Sequence, residues 1–569
     1  MSCSLLASHA NSAYAGSDPN EIKKYAEDET YSEKGAEADN SANISYPTGG
    51  RLALITVALM LVIFLAALDQ TILGTAIPKI TDEFSGLDKV SWYGTAYFMT
   101  SGGFQSSWGK APRYFSLKGA FLTALAIFEL GSLLCAVAPN AEVFIVGRAI
   151  AGLGCAGLVS ESMTIVAFSV EPTQRPKFLG FVGSCYGLGS VCGPLIGGAF
   201  TSHVTWRWCF YLNLPIGAIA AAVVIFSFST PVQAKPLAAS WRTKIANLDP
   251  GGAMLMMAVI VCFTLAMQYG GQTMAWGSTT VVGLLVGFAV ILVLFTAWQF
   301  WRGDQAMMPP RVVAQRTVWP GAAFQFFFAA PYFIALYYLP IYFQSVDDVS
   351  PIESGIRNMP LVLGMTFSTV AAGIVTTKTG YTTPLAVLGA TLATVACGLF
   401  YTFDQGTSTG RWIAYQLIGG ISWGTAWQVA LNNMQARVET ADVPTAVSTY
   451  FTLQCIGGAF GLAAAQNAFD NRLVQALATM APGVDPAAVL ATGSTQLRTG
   501  AFPAFLVPGI VDAYMAGLRV VFALTIGLAG MSLLLSFAQG WRRVPSEADR
   551  KAGGEEGGDR EGKTMVAMG

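Results

Sequence analysis

Two charged residues stand where the surrounding sequence is almost entirely apolar. Asp69 lies in "VIFLAALDQTILGTAIP", Val62 to Pro78, and Arg148 lies in "VFIVGRAIAGLGCAG", Val143 to Gly157. An unpaired charge at mid-bilayer costs on the order of 3 kcal/mol on the insertion scale, and an opposite charge or a shared aqueous cavity is the usual compensation. Asp69 lies about 25 Å along its helix from the start of the run at 1.5 Å per residue. Arg148 lies near the far end of an antiparallel run, so the two reach similar depth. Two kinds of chemistry fit. In a proton site, low dielectric favours the neutral carboxyl and a nearby guanidinium favours the ionised one, so separating the pair switches its proton affinity. A static ion pair that fixes helix packing also fits, though it is an expensive way to join two helices.

Glu129 and Glu161 are two further acids inside apolar runs. Glu161 lies thirteen residues beyond Arg148, roughly 220° around a helix, so the two cannot share one direction. Each acid fits either a proton-carrying role or a local hydrogen bond. Gln105, Asn213, Gln268, Gln325, Gln428, Asn432, Gln454 and Gln466 are candidates to line a path, or simply to bond helix to helix. Tyr332 belongs to the aromatic run "FQFFFAAPYFIALYYLP", which fits a cavity wall for flat, greasy ligands or a lipid-facing surface. In "GLGSVCGPLIGGAF", Gly189, Gly193 and Gly197 recur every four residues, with Gly198 beside them and Pro194 a kink point. That spacing lets another helix backbone approach closely.

The elements that must position these residues are membrane helices. Hydrophobic residues make up 53% of the 569 and charged residues only 11%, against roughly a quarter charged in soluble proteins. The apolar residues come in runs long enough to cross a hydrocarbon core. Fourteen segments are predicted: 52–76, 91–109, 118–138, 143–168, 177–200, 208–229, 251–269, 279–300, 318–343, 355–376, 383–403, 412–434, 444–468 and 513–537. Basic residues crowd alternate loops, among them Lys110, Arg113, Lys118, Arg175, Lys177, Arg242, Lys244, Arg311 and Lys378. By the positive-inside rule these loops and both termini are cytosolic. Residues 1–50 are polar and acidic, with no apolar core of a signal peptide, and read as a disordered cytosolic tail; 542–569 read the same way.

An internal echo divides the chain. "RAIAGLGCAG" in segment 4 matches "QLIGGISWGT" in segment 12, pairing Arg148 with Gln416 and Gly152 with Gly420, and segment 5 echoes segment 13. The echo fits a six-helix half at 51–230, two inserted helices with linkers at 231–316, and a second half at 317–541 with a long external loop at 470–512. Repeated halves with a substrate path between them are the build of many secondary transporters.

Other classes find no support. H-E-x-x-H does not occur; the string that fits G-x-x-x-x-G-K-[ST], Gly557 to Thr564, lies in the polar C-terminal tail and the one that fits G-x-S-x-G, Gly420 to Gly424, in an apolar run, so an ATP-driven pump and an enzyme are disfavoured. Eight of nine cysteines lie in apolar segments, no C-x-x-C occurs and there are two histidines, which argues against a metal site. The net charge of −1 and the absence of a basic patch argue against nucleic acid.

From Arg51 to Trp541 the chain resembles the major facilitator superfamily, in its fourteen-span drug:proton antiporter family and the fungal toxin-efflux branch. "LDQTILGTAIPKITDEF" looks like that family's first-span signature, which places Asp69 at its acidic position. "GRAIAGLGCAG", with Gly152 and Gly154, resembles the fourth-span motif whose arginine, here Arg148, is implicated in proton coupling. "GSVCGPLIGG" resembles the fifth-span motif of exporters. The loop "GKAPRYFSLK" departs from the superfamily pattern, with Arg113 at the acidic position and Ser116 at the second glycine, so the latch role of that carboxylate is not transferred. The resemblance implies an all-α major facilitator fold, a monomer without cofactor, in the plasma membrane with a vacuolar or vesicular site as the alternative. The implied activity is export of a hydrophobic secondary metabolite, toxin or drug in exchange for protons. Uptake of a siderophore or nutrient, and a receptor that does not transport, are the alternatives.

Overall fold

The computed structural model describes residues 46–84, 90–230, 236–491, 502–541 and 543. Nearly all of the two tails, and 492–501 of the expected external loop, lie outside these residues. Helices form where the apolar runs are: α1 Gly49–Phe84, α2 Val90–Trp108, α3 Leu117–Ala136, α4 Ala141–Ser169, α5 Arg175–His203, α6 Asn213–Ser227, α7 Pro250–Tyr269 and α8 Thr279–Arg302. They continue as α9 Trp319–Ser345, α10 Met359–Thr379, α11 Thr383–Tyr401, α12 Thr409–Ala426, α13 Val443–Met480 and α14 Val507–Ser536. Polar side chains start several of them: Ser116, Asn140, Ser278 and Asp249 each accept a backbone N–H of the first turn. Among the described residues the one β-type pairing outside named strands is a single bridge, Gly270 to Met274.

Twelve helices among the described residues are long and apolar enough to cross a membrane. The difference from fourteen comes from α2 and α12, which are helical where expected but more polar. Several of their polar residues face inward: Gln105, Ser106, Gln416 and Ser422 are all buried. Both helices carry the chain from one end of the bundle to the other. Arg51 at the start of α1 donates to Ser227 O at the end of α6, and Lys118 at the start of α3 donates to Ile225 O, so these ends share one face, here termed the basic end. The far end of α1 meets the start of α6, where Glu83 binds Arg207. α2 therefore returns from that end to the basic one. Likewise Thr383 at the start of α11 and Arg437 beyond α12 both donate to Gly540 O, while the far end of α11 holds Asp404, whose carbonyl accepts from Tyr342. The helix expected to end near 468 continues to Met480, and a short helix, Pro486–Ala491, follows it.

The internal echo is visible in the packing. A Cβ at Gly189 of α5 would lie 2.6 Å from Phe64 O of α1, and one at Gly457 of α13 would lie 2.2 Å from Phe326 O of α9. A Cβ at Gly152 of α4 would lie 2.2 Å from Tyr97 O of α2, and one at Gly420 of α12 would lie 2.1 Å from Leu361 O of α10. Small residues thus seat α5 on α1, α13 on α9, α4 on α2 and α12 on α10. The two sets, α1–α6 and α9–α14, meet along two seams. α2 packs on α13, where Ser106 bonds Thr452 at 2.6 Å, and α5 packs on α10, where a Cβ at Gly373 would lie 2.4 Å from Pro176 O. α7 covers the first seam: Met257 fills the space left by Gly103 of α2, and Phe263 stacks on Phe460 of α13 at 4.1 Å.

At the basic end α7 and α8 are tied down by Asp249. It accepts from Trp298 Nε1 at 2.9 Å and from Met307 N at 2.9 Å. Lys110, fully buried there, donates to Asp304 O at 2.7 Å. Burial lowers the Lys110 ammonium from its ordinary 10.5 to about 8, with the attraction of Asp249 offsetting part of the effect. Between those values the unfolded chain binds more protons than the folded one, so stability rises with pH through that window. The full difference is worth roughly 3 kcal/mol. The thermal midpoint of the detergent-solubilised protein is expected to rise between pH 8 and 10.5, and this rise is expected to vanish in Lys110→Met. An equal rise in the variant would assign it elsewhere.

Candidate functional site

Asp69 and Arg148 meet. Arg148 Nη1 donates to Asp69 Oδ2 at 2.6 Å, with the two side chains 0% and 1% exposed. Depth and opposite sign, read from sequence, thus place the pair correctly, and the structure adds its surroundings. Arg148 Nε donates to Tyr93 O at 3.1 Å, and the guanidinium lies 4.3 Å from the Tyr97 ring centroid. Asn213 of α6 donates to Asp69 Oδ1 at 3.3 Å and to Ser132 Oγ of α3 at 3.0 Å. The pair thus draws on α1, α2, α3, α4 and α6. A charge-assisted, multiply bonded arrangement of this kind meets the demand for compensation of buried charge.

The repeat shows what is special here. Offsetting the glycine contacts carries Arg148 to Gln416, and Gln416 Nε2 donates to Arg357 O at 2.9 Å, the counterpart of the bond from Arg148 to Tyr93 O. Between α1 and α9 the matching contacts of Phe64 O and Phe326 O set the offset, which carries Asp69 to Pro331. The second set keeps the backbone hydrogen bond and lacks both charges. Packing of this repeat does not require an ion pair, which weakens the purely structural account of Asp69 and Arg148.

A small central cavity lies beside the pair. Gln70, next in chain to Asp69, lines it with Gln105, Cys155, Tyr186, Phe333 and Gln454. Tyr186 OH donates to Gln70 Oε1 at 2.7 Å. The cavity joins α1, α2, α4 and α5 of one set to α9 and α13 of the other. Its volume is about 30 Å³, enough for a water molecule or two but far below the several hundred Å³ of a drug-sized site.

The other expected residues fall in different places. Gln325 reaches the cavity wall through Gln454, donating to its Oε1 at 2.9 Å. Tyr332 stands behind that wall, against Trp423 and Trp427, so the aromatic run of α9 is core rather than lipid surface. Gln428 lies elsewhere, against Gly183 of α5. Gly154 seats α4 on α3, where a Cβ would lie 2.3 Å from Phe128 N. Gly193 and Gly197 press on Thr71, Ile72 and Thr75 of α1, whereas a Cβ at Gly198 meets nothing within 4 Å. Pro194 lies inside α5, one residue beyond the seam glycine.

Glu161 does not join the pair. It is fully buried about 20 Å further along α4, and neither carboxylate oxygen has a hydrogen-bond partner among the described residues. Glu129 stands nearer. Gly217 leaves room for its carboxyl, as a Cβ there would lie 1.8 Å from Glu129 Oε1. Gly217 is one turn from Asn213 and Glu129 one turn from Ser132, so the acid sits beside the bridge that holds Asp69. Gln70, Tyr186 and Ser132 were missed from sequence; only Gln70 had a signal, its place beside Asp69.

A buried ion pair beside a small central cavity, in a bundle of membrane-length helices that repeats internally, defines a polytopic membrane carrier. The family model described as Major Facilitator Superfamily matches residues 59–462, and the chain belongs to that superfamily. It is 51% identical to the MFS-type transporter grgE of a Penicillium species, over 88% of this chain and 89% of that one. It is 47% identical to the probable efflux pump gsfJ of Penicillium aethiopicum, over 90% and 91% respectively. In fold it is similar to the proton:xylose symporter XylE (TM-score 0.56, 11% identity, 86% of this chain and 98% of that one). It is also similar in fold to the human organic anion transporter MFSD10 (TM-score 0.53, 12% identity, 86% and 100%).

Proposed function

We propose that this transporter exports a hydrophobic small molecule, of the secondary-metabolite, toxin or drug class, in exchange for protons. The observation that carries the reading is the Asp69–Arg148 pair set one residue, and one hydrogen bond, from the central cavity through Gln70 and Tyr186. A substrate that enters the cavity displaces the contacts of Gln70, and so disturbs the pair; a proton on Asp69 weakens its hold on Arg148 and disturbs the cavity. The two ligands therefore oppose each other through one linked element, the requirement for antiport. The cavity must widen to admit cargo, and the two seams, α2 on α13 and α5 on α10, are where the α1–α6 and α9–α14 halves would rock.

Relatives named as efflux pumps support the outward direction. We further propose fourteen spans, with α2 and α12 completing the count because each carries the chain between opposite ends. Both termini are then cytosolic, beside the basic loops, in the plasma membrane. The test is flux in proteoliposomes with a hydrophobic dye such as rhodamine 6G. Under an imposed pH gradient the dye is expected to move against the proton flow. Movement with the protons would replace this reading with uptake, and saturable binding without flux would replace it with a receptor.

A further inference from the structure

A second, larger cavity of about 560 Å³ lies at the basic end. It is separate from the central one. α2 divides them, with Ser101 and Gln105 on the central side and Phe104, Ser107 and Trp108 on the other. Its floor reaches Leu153 of α4 and its wall includes Thr123 and Ala120 of α3. Across its mouth lies the short helix Trp241–Asn247. Trp241, Ile245 and Leu248 recur at i, i+4 and i+7 and line the cavity, while Trp241 is 66% and Ile245 43% exposed. The walls are apolar, so an occupant is held by burial of hydrocarbon rather than by hydrogen bonds.

Cations outnumber acids at the mouth. Residues 110–118 and 236–248 contain Lys110, Arg113, Lys118, Arg242 and Lys244 and no aspartate or glutamate. Lys110 and Lys118 are engaged with Asp304 O and Ile225 O. Lys244 Nζ lies 5.1 Å from the Phe115 ring centroid, and Trp241 packs edge-on against Phe115. Arg113, Arg242 and Lys244 make no ion pair with a described residue. An amphipathic helix with an apolar face inward and cations at the membrane boundary is the arrangement that engages anionic lipid headgroups.

We propose that this cavity is a binding site for one anionic phospholipid, its acyl chain between α2, α3 and the Trp241–Asn247 helix and its phosphate at Arg113, Arg242 and Lys244. The lipid wedges the linker into α7 against the first set, on the far side of α2 from the cargo cavity. The test is native mass spectrometry of the full-length protein exchanged into equal phosphatidylserine and phosphatidylcholine, then stripped with detergent. The wild type is expected to retain one phosphatidylserine with about tenfold preference. Arg242→Gln/Lys244→Gln is expected to lose the preference. Thr123→Trp, which fills the cavity from an exposed position and leaves the charges in place, is expected to lose the retained lipid altogether. Equal retention of both lipids by the wild type would reduce the site to ordinary lipid contact. Unchanged retention in Thr123→Trp would overturn the cavity as the site, and displacement of the lipid by rhodamine 6G would assign it to cargo.

Discussion

Asp69→Asn is expected to abolish export driven by a pH gradient while the protein still reaches the membrane. With one proton exchanged per substrate, a gradient of two pH units sustains about a 100-fold concentration ratio, since each unit is worth about 1.4 kcal/mol. The variant should run that ratio down to one and retain only equilibrative flux. Asparagine keeps the shape and can still accept from Arg148, but leaves a guanidinium buried without a countercharge. Removing one partner of a buried pair destabilises by about 3–5 kcal/mol, so lowered abundance must be separated from lost coupling. The repeat suggests how. Gln416 makes the Arg148-type bond without any charge, so Asp69→Asn/Arg148→Gln should restore surface abundance without restoring the gradient response. Normal pH-driven export by the single variant would sink the assignment of the proton to Asp69. Recovery of coupling in the double variant would do the same.

Glu129 is the place to look if a residual response survives. Glu129 lies one turn from Ser132 with its carboxyl against Gly217, beside the Asn213 bridge to Asp69. The structure moves the acid closer to the pair than Glu161 is, although Glu161 shares a helix with Arg148. Helix identity is a weaker guide than depth, because thirteen residues of rise carry Glu161 about 20 Å away.

How much was legible in advance follows the range of the interactions. Helix positions follow from apolar runs, which are local, and the meeting of Asp69 with Arg148 follows from depth and sign under the strong constraint of a bilayer. The repeat was legible because small residues at fixed spacing do the same packing job twice. What stayed hidden depends on which faces turn toward one another. Gln325 and Gln428 look alike as buried amides, yet one bonds Gln454 at the cavity wall and the other rests against Gly183. Tyr332 and Phe333 are neighbours, and only Phe333 faces the cavity. α2 and α12 fall short of membrane hydropathy, and the buried Gln105, Ser106, Gln416 and Ser422 are among the polar residues that lower it.

The fifth-helix glycines give the other large expected effect, and they separate a packing seam from a motif read as a string. A Cβ at Gly189 would stand 2.6 Å from Phe64 O, and one at Gly193 would stand 2.1 Å from Thr71 Oγ1 and 2.9 Å from Ile72 N. Backbone atoms of α1 cannot swing aside, so α5 must move off α1 as a body. Overpacking of this kind costs about 1–3 kcal/mol per site, and here the shift acts on the helix that carries Asp69. Gly189→Ala and Gly193→Ala are therefore expected to lose most transport, with Gly193→Ala also weakening the response to pH because Thr71 is two residues from Asp69. Gly198 belongs to the same string but faces open space, and Gly198→Ala should transport at the wild-type rate per molecule at the membrane. Equal losses at Gly189, Gly193 and Gly198 would show that the motif acts through helix flexibility, for which all three glycines count alike, and that contact with α1 is incidental.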